Sequence, residues 1–404
     1  MNTAPAYNPT DDATRRDPFP LYEALQEHDP VHWSESLRCW IVTRYDDVRH
    51  IIRSPDMSSD RLGPFYAALR DERRDTLSGL IRYLNEWLVF KAPPEHTQLR
   101  KLLNRVFNPA MVDGLQPRIE STVAHLLDPL HARDTVEFMQ EVAVLLPAYV
   151  ILDLLGLPRS DFPMLKTWSD QLRLFIGSAR GDDDKYRKAR EGADYMAEYF
   201  RQAIAQRRVA PADDVISQLV QAWDEQPELR EDTLVATCML ILFGGHETTT
   251  NFLGSAVSTL LDHPEQRERL AQHPDLMPLA IEEFLRFDGP SNSIARVVAR
   301  DHELQGKPLK AGQRLFAMIN AANRDPRAFE QAHTLDLGRN PNPHLTFGQG
   351  LHFCLGARLA KLESQICISE LMRRYPRMRH APGEVQWLDA LVMRGPLQLP
   401  LHLN

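Results

Sequence analysis

The most constraining feature of this chain is one ten-residue stretch, Phe347-Gly348-Gln349-Gly350-Leu351-His352-Phe353-Cys354-Leu355-Gly356. A lone cysteine sits among three glycines, just ahead of a segment, Leu355 to Tyr375, that reads as a helix. Glycine lets the backbone take turns that other residues resist and lets it approach a flat ligand closely. A cysteine at a helix start meets the positive end of the dipole and free N–H groups, both of which favour its thiolate. Taken alone, such a cysteine is an ordinary free thiol. The pattern Phe-x-x-Gly-x-His-x-Cys-x-Gly, however, fixes five positions at set spacing.

The longest helical candidate, Thr233 to Leu261, carries a second oddity: Leu242-Phe243-Gly244-Gly245-His246-Glu247-Thr248-Thr249-Thr250-Asn251. Each glycine in a helix interior costs roughly 1 kcal/mol. Threonines bond back to carbonyls and bend the helix. A charged Glu247 in an otherwise apolar helix is expensive unless it has a task. On composition alone the segment is a polar, exposed turn; with a task, it is a deliberate local defect.

Helical patterns dominate from His96 onward. They cover His96 to Phe107, Arg118 to Leu127, Thr135 to Leu155 (broken at Pro147), Phe162 to Ile176, Lys185 to Arg207, Asp213 to Trp223 and Leu276 to Phe287. The charged loop Gly181-Asp182-Asp183-Asp184 joins two of them. Before these, Val31-His32-Trp33 and Cys39-Trp40-Ile41-Val42-Thr43 read as a hairpin, and Asp46 to Arg53 as a helix. Residues 55–75 read as a long loop and residues 1–17 as a surface tail. Residues 288–318 alternate short β-prone pieces with turns. In the tail, Leu391-Val392-Met393 and Leu397-Gln398-Leu399 read as strands. There is no repeat and no obvious linker, so the expectation is one domain spanning 1–404, mainly α with a minor β-sheet region.

A net charge of −8 argues against a nucleic-acid partner, which wants a basic face. Cys39, Cys238, Cys354 and Cys367 are widely spaced, with no CxxC pair, which argues against a zinc site or a thioredoxin-like motif. The first residues lack the basic start and apolar core of a signal peptide. The apolar stretches Val142 to Leu157 and Val235 to Phe243 fall short of the roughly 18–20 residues of a membrane span. The expectation is a cytoplasmic protein with no membrane anchor.

The cysteine stretch resembles the haem-binding loop of the cytochrome P-450 family, the haem-thiolate monooxygenases, and the resemblance covers nearly the whole chain. It implies the cytochrome P-450 fold, with haem b between the long central helix and the cysteine-loop helix. It makes Cys354 the axial iron ligand, a thiolate that favours O–O cleavage. Phe347 would pack beside the sulfur, with Gly356 part of the same loop, and His352 would meet a haem propionate. Gly244-Gly245-His246-Glu247-Thr248 resembles the family's oxygen-binding segment, with Gly244 where Ala is commoner. Glu247 and Thr248 would then be an acid–alcohol pair that relays protons. Glu283-Phe284-Leu285-Arg286 alone is a helix-surface ion pair, but the likeness makes it, with Arg339, a structural triad that anchors the cysteine loop. His96, Arg100 and Arg296 look like propionate partners, and an arginine fork suits a carboxylate. Ala322-Asn323-Arg324-Asp325-Pro326 is a further family landmark, read as structural.

What the resemblance implies is an O2-dependent monooxygenase. No flavin or iron–sulfur motif is present, so electrons would pass from NAD(P)H through a separate ferredoxin and its reductase. Arg100, Lys101, Arg105, Arg358 and Lys361 are candidates for a basic docking patch or simply a solvated face. A peroxide-driven peroxygenase, a haem sensor and a peroxide isomerase or dehydratase are the alternatives, and none needs Glu247 with Thr248. The substrate-pocket positions carried over are Val89, Leu240, Phe243, Gly244, Asn292, Ile294 and Val392. They suit a mid-sized apolar molecule, with Arg82 or Arg173 as the candidates for holding a carboxylate.

Overall fold

The computed structural model describes residues 7–9, 11–177, 184–226 and 228–404. The charged loop expected at 181–184 therefore lies largely outside the described residues. Helix makes up 59% of the chain and strand 11%, which gives the mainly α class with a minor sheet. The chain's contacts cluster into two compact units. One comprises Met1–Ser58, Ile119–Leu145 and Thr248–Asn404; the other comprises Ser59–Arg118 and Leu146–Glu247.

The first unit holds the sheets. The expected hairpin forms as Val31–Ser34 and Cys39–Val42, antiparallel, with Trp33 opposite Trp40. It is the edge of a five-stranded sheet in which Cys39–Val42 runs parallel to Arg314–Met318, followed by Ser293–Val298 and Met57–Ser58. Strand alternation sorts the side chains. Trp40, Val42, Leu315 and Ala317 enter one buried cluster with Tyr45, Ile51 and Phe329. Cys39, Ile41, Phe316 and Met318 enter another with Phe19 and Tyr22. The sheet thus gives Ser293–Val298 a fixed position, and with it Asn292, Ile294 and Arg296.

Three expectations are corrected here. Residues 55–75 are not a long loop: Met57–Ser58 is a strand, Leu62–Ala67 a helix, and Asp71 opens the helix Asp71–Leu84. Pro64 is tolerated because it sits in a first turn, where its missing N–H would be unpaired anyway. The span Thr135 to Leu155 is not one helix broken at Pro147. Thr135–Glu137 pairs with the C-terminal strand Pro400–His402, a π turn occupies Met139–Ala143, and an α-helix runs Leu145–Leu155 with Pro147 in its first turn. In the tail the strands are Pro396–Gln398 and Pro400–His402, while Leu391 to Met393 is a turn bridged once to Ser291.

The second unit is helical. Phe162–Ile176 and Lys185–Val209 pack closely: a Cβ on Gly192 would lie 2.8 Å from the Trp168 carbonyl. Its last element is the first half of the central helix, Glu231–Asp262, whose residues to Glu247 belong to this unit and from Thr248 to the other. A Cβ on Gly245 would lie 2.6 Å from Ile151 Cδ1, so a side chain here would have to displace Ile151.

Candidate active site

The cysteine loop is shaped by its own backbone. Gly348 N–H donates to the Leu345 carbonyl (2.8 Å), Cys354 N–H to the Phe347 carbonyl (2.9 Å) and Phe353 N–H to the Gly350 carbonyl (3.1 Å). Gly348 and Gly350 hold φ of +70° and +69°, where a side chain is strained. The helix starts at Ala357 rather than Leu355, and runs Ala357–Arg374. Cys354 therefore precedes the helix by a short turn. It is exposed, whereas Cys39, Cys238 and Cys367 are buried. Burial pushes the Cys367 thiol up to about 12 and the Cys238 thiol up further still.

The helix Met277–Phe287 anchors this loop with adjacent acids. Glu283 and Arg286 are fully buried, and Arg286 grips both carboxylate oxygens at 2.7 and 2.8 Å. The rest of its fork donates to the carbonyls of Asn323 (2.9 Å), Ala332 (2.8 Å) and Thr334 (3.1 Å). Glu283 also accepts from Arg339 Nε (3.1 Å), Asp336 N–H (2.9 Å) and Asn342 Nδ2 (3.1 Å). The three residues expected as a triad are thus brought together. Nearer the cysteine, Glu282 meets His344 Nε2 and Lys361 Nζ, each at 2.8 Å. Burial alone would raise the Glu282 carboxyl; these two partners bring it down to about 2. Lys361 is therefore engaged internally. Thr346 Oγ1 donates to the Leu285 carbonyl (2.6 Å) and accepts from Asn323 Nδ2 (2.9 Å), while Asn323 Oδ1 accepts Leu345 N–H (2.8 Å). His344 and Glu282 gave no sequence signal. Asn323 did, inside the Ala-Asn-Arg-Asp-Pro landmark.

On the strand Ser293–Val298, Arg296 is buried, and its Nη1 donates to the Ala295 carbonyl (3.0 Å). Burial lowers its guanidinium to about 10, and among the described residues no carboxylate pairs with it. Asn292, by contrast, is spent within the fold. Its Oδ1 accepts from Tyr22 OH (2.9 Å) and its Nδ2 donates to the Leu391 carbonyl (3.1 Å), which also takes Ser293 Oγ (2.8 Å). Expected as a substrate contact, Asn292 is a strut that holds the turn bearing Val392. Ile294 and Val392 are half-buried.

In the second unit, Gly244 is exposed and a Cβ there would meet nothing within 4 Å. The helix is open on that side. Phe243 beside it is buried against the Trp87 ring, centroids 5.5 Å apart. Leu240 is half-buried and Val89 exposed. Glu247 is buried, with Lys166 Nζ and Arg173 Nε each at 3.5 Å and His246 Nε2 at 3.2 Å. Burial alone would raise its carboxyl, but His246, Lys166 and Arg173 hold it down at about 2. Arg173 thus serves Glu247 and Asp170, and Arg82 serves Asp232; neither stands ready for a substrate carboxylate. His96 is buried, and burial with the nearby Arg100 charge lowers its imidazole. Thr248, half-buried, opens the first unit's share of the helix.

Comparison with known proteins finds that the Cytochrome P-450 family model matches residues 66–382. This chain belongs to the cytochrome P-450 family. The biotin biosynthesis cytochrome P-450 of Bacillus subtilis (strain 168) is 33% identical over 96% of this chain and 96% of its own length. The vitamin D(3) 25-hydroxylase of Pseudonocardia autotrophica is 35% identical over 96% of this chain and 94% of its own. Among solved structures, CalO2 superposes with a TM-score of 0.92 at 31% identity, covering 99% of each chain. BioI in complex with hexadec-9Z-enoic acid ligated acyl carrier protein gives 0.90 at 31% identity, over 97% of this chain and 99% of that one. The P-450 is therefore an oxidoreductase of the monooxygenase class, whose family uses haem b and O2. Among the described residues no helix is long and apolar enough to cross a membrane.

The residues present fit a haem. Cys354 offers an exposed thiol on a loop with open space beside Gly356. Arg296 offers a buried cation without a carboxylate partner among the described residues, a combination that an anionic propionate would complete.

Proposed function

We propose that this P-450 inserts one atom of O2 into a mid-sized, mainly apolar organic substrate, with electrons passed from NAD(P)H through a separate ferredoxin and reductase. In this reading residues 1–404 act as one cytoplasmic haem domain. Cys354 would ligate the haem iron, with Phe347 and Gly356 on the same loop, and His96, Arg100, Arg296 and His352 would meet the propionates. Bound there, thiolate-ligated haem supplies O2 activation and O–O cleavage. The single observation that carries the assignment is the exposed Cys354 thiol, presented by a glycine-turned loop that the buried Glu283–Arg286–Arg339 network fixes in place.

The chain's own residues then divide the work. The Glu282 and Glu283 contacts hold the loop still, so that the thiol is preorganised. The bare face at Gly244 leaves room for a small ligand, and Thr248, with a hydroxyl that both donates and accepts, passes protons with Glu247. Val89, Leu240, Phe243, Ile294 and Val392 supply the apolar pocket. Support for an apolar substrate comes from the relatives. BioI was solved with a hexadecenoic acyl chain on its carrier protein, and CYP109E1 from Bacillus megaterium, 31% identical with a TM-score of 0.89, with testosterone.

The test is spectral and then preparative. The reduced carbonyl complex of the purified protein is expected to show the red-shifted Soret band of thiolate ligation. That band should be lost in Cys354→His and kept in Cys367→Ala; the reverse pattern refutes the assignment. A panel that includes hexadecenoic acid and testosterone, with a surrogate ferredoxin system, is expected to yield a hydroxylated product. Product formed with peroxide alone, and none with the redox chain, would favour the peroxygenase.

A further inference from the structure

The turn that carries Val392 is built so that one side chain is presented and its neighbours are withdrawn. Leu391 and Met393 are buried at 6% and 8%, while Val392 between them is half-buried. The Leu391 carbonyl accepts Asn292 Nδ2 (3.1 Å) and Ser293 Oγ (2.8 Å), which fills both its lone pairs. The Val392 carbonyl accepts the Asn292 N–H (3.1 Å). These two carbonyls belong to the peptide planes on either side of the Val392 Cα. Pinning both planes leaves the side chain between them little freedom of direction.

The Asn292 amide is itself aimed from the N-terminal region. A carbonyl can only accept, so the Asn292 atom facing Leu391 is its NH2 group and the other end is its oxygen. That oxygen accepts the Tyr22 hydroxyl at 2.9 Å. Tyr22 lies on the helix Phe19–His28, is 2% exposed, and shares a buried cluster with Phe19 and Leu391. Burial pushes its hydroxyl up to about 12, so it keeps its proton well above neutral pH. The far end of the turn is tied to the same region. Arg394 N–H donates to the Pro290 carbonyl (2.9 Å), and its guanidinium donates to Asp288 Oδ1 (2.7 Å) and to the carbonyls of Arg15 (2.8 Å) and Arg16 (3.0 Å). A cavity of about 30 Å³, bordered by Tyr22, Asn292, Met393 and Arg394, separates the turn from the N-terminal segment. A turn that loses its ties has that space to move into.

We propose that Tyr22 is a positioning residue for substrate specificity: through the Asn292 amide it sets the turn that presents Val392 to the substrate. This assignment rests on the reading of Val392 as a pocket residue, and it names what aims that residue. Tyr22 acts only through the turn and takes no part in the chemistry. Without its hydroxyl, Asn292 Oδ1 becomes a buried acceptor with no donor, and the amide swings more readily away from Leu391. The turn then samples other arrangements. A ligand that needs the parental arrangement binds with an affinity reduced by the fraction that retains it. The net value of one neutral hydrogen bond places that loss at roughly 3–10-fold.

The experiment titrates the ferric holoenzyme with N-alkylimidazoles of increasing chain length, followed by the Soret shift as the imidazole nitrogen takes the iron. The head group reports the iron and the tail reports the pocket wall, so the probe does not depend on knowing the substrate. Tyr22→Phe is expected to keep haem content and the dissociation constant of N-methylimidazole. It should weaken the octyl to dodecyl members by roughly 3–10-fold. Val392→Ala should also change long-chain affinity. Adding Tyr22→Phe to Val392→Ala should then cost nothing further, because the side chain that Tyr22 aims is gone. Losses that simply add overturn the proposal. So does a Tyr22→Phe variant with parental long-chain affinity, or one that weakens N-methylimidazole as much as the long chains. Ser293→Ala removes the other side-chain donor on the Leu391 carbonyl and leaves Tyr22 in place. If Tyr22→Phe does not fold, Ser293→Ala must show the same chain-length dependence, and parental long-chain affinity in it is equally fatal. If Val392→Ala leaves the whole series unchanged while the parent binds it, the reading of Val392 as a pocket residue fails. If Val392→Ala shifts the long chains and Tyr22→Phe does not, that reading stands and the positioning role fails.

Discussion

Replacing Arg286 by Ala removes more than an ion pair. Five hydrogen bonds end on this guanidinium: two on Glu283 and one each on the carbonyls of Asn323, Ala332 and Thr334. Glu283 keeps Arg339, the Asp336 N–H and Asn342, so its charge is not left wholly unpaired. The three carbonyls are each deprived of a donor. Breaking a buried pair by removing one partner costs about 3–5 kcal/mol, and the stranded carbonyls add to this at about 1 kcal/mol or more each. A total near 6–8 kcal/mol is a large share of the roughly 5–15 kcal/mol that holds a folded protein together. At an unfolding entropy of about 2.1 cal/mol/K per residue over 404 residues, 1 kcal/mol moves the midpoint by about 1.2 °C, so the expected fall is about 7–9 °C. The assay is thermal unfolding followed by far-ultraviolet circular dichroism, with haem content from the pyridine haemochrome. Because Asn323 also binds Leu345 N–H and Thr346, the damage should reach the cysteine loop, and haem content should fall with the midpoint. Arg286→Lys, which keeps the charge but not the fork, should fall in between. A well-folded Arg286→Ala with full haem and a midpoint within about 1 °C of the parent would show that the network does not carry the loop.

Thr248→Ala is expected to leave haem content and substrate binding nearly unchanged while lowering product per NAD(P)H and raising peroxide release. Parental coupling would remove Thr248 from the relay. The acid limb of stability should depend on Glu282. Its carboxyl is drawn from an ordinary 4.5 down to about 2, so it stabilises the folded state above pH 4.5 and this is lost as pH falls toward 2. Glu282→Gln should therefore flatten the fall in urea midpoint between those pH values; an unchanged slope would place the effect elsewhere.

The sequence by itself determined the class of the fold and the chemical parts. A lone cysteine among glycines at fixed spacing, and an acid and threonine in a glycine-weakened helix, are local patterns whose cost in isolation betrays their task. Helix existence was legible for the same reason, since apolar periodicity is written along the chain. What failed was whatever depends on a partner distant in sequence. Thr135–Glu137 became a strand because Pro400–His402 pairs with it. Pro147, read as a breaker, falls in the first turn of its helix, and Pro64, inside an expected loop, falls in the first turn of another. Asn292 looked available to a ligand until Tyr22 and the Leu391 carbonyl were found on its two ends. Glu282 and His344, 62 residues apart, carry no pattern that links them. His246 is visible as a letter beside Glu247, but only the folded helix sets its Nδ1 on the Leu242 carbonyl. The sequence specified which groups are present; three-dimensional packing decided which of their atoms are already satisfied, and so which remain for chemistry.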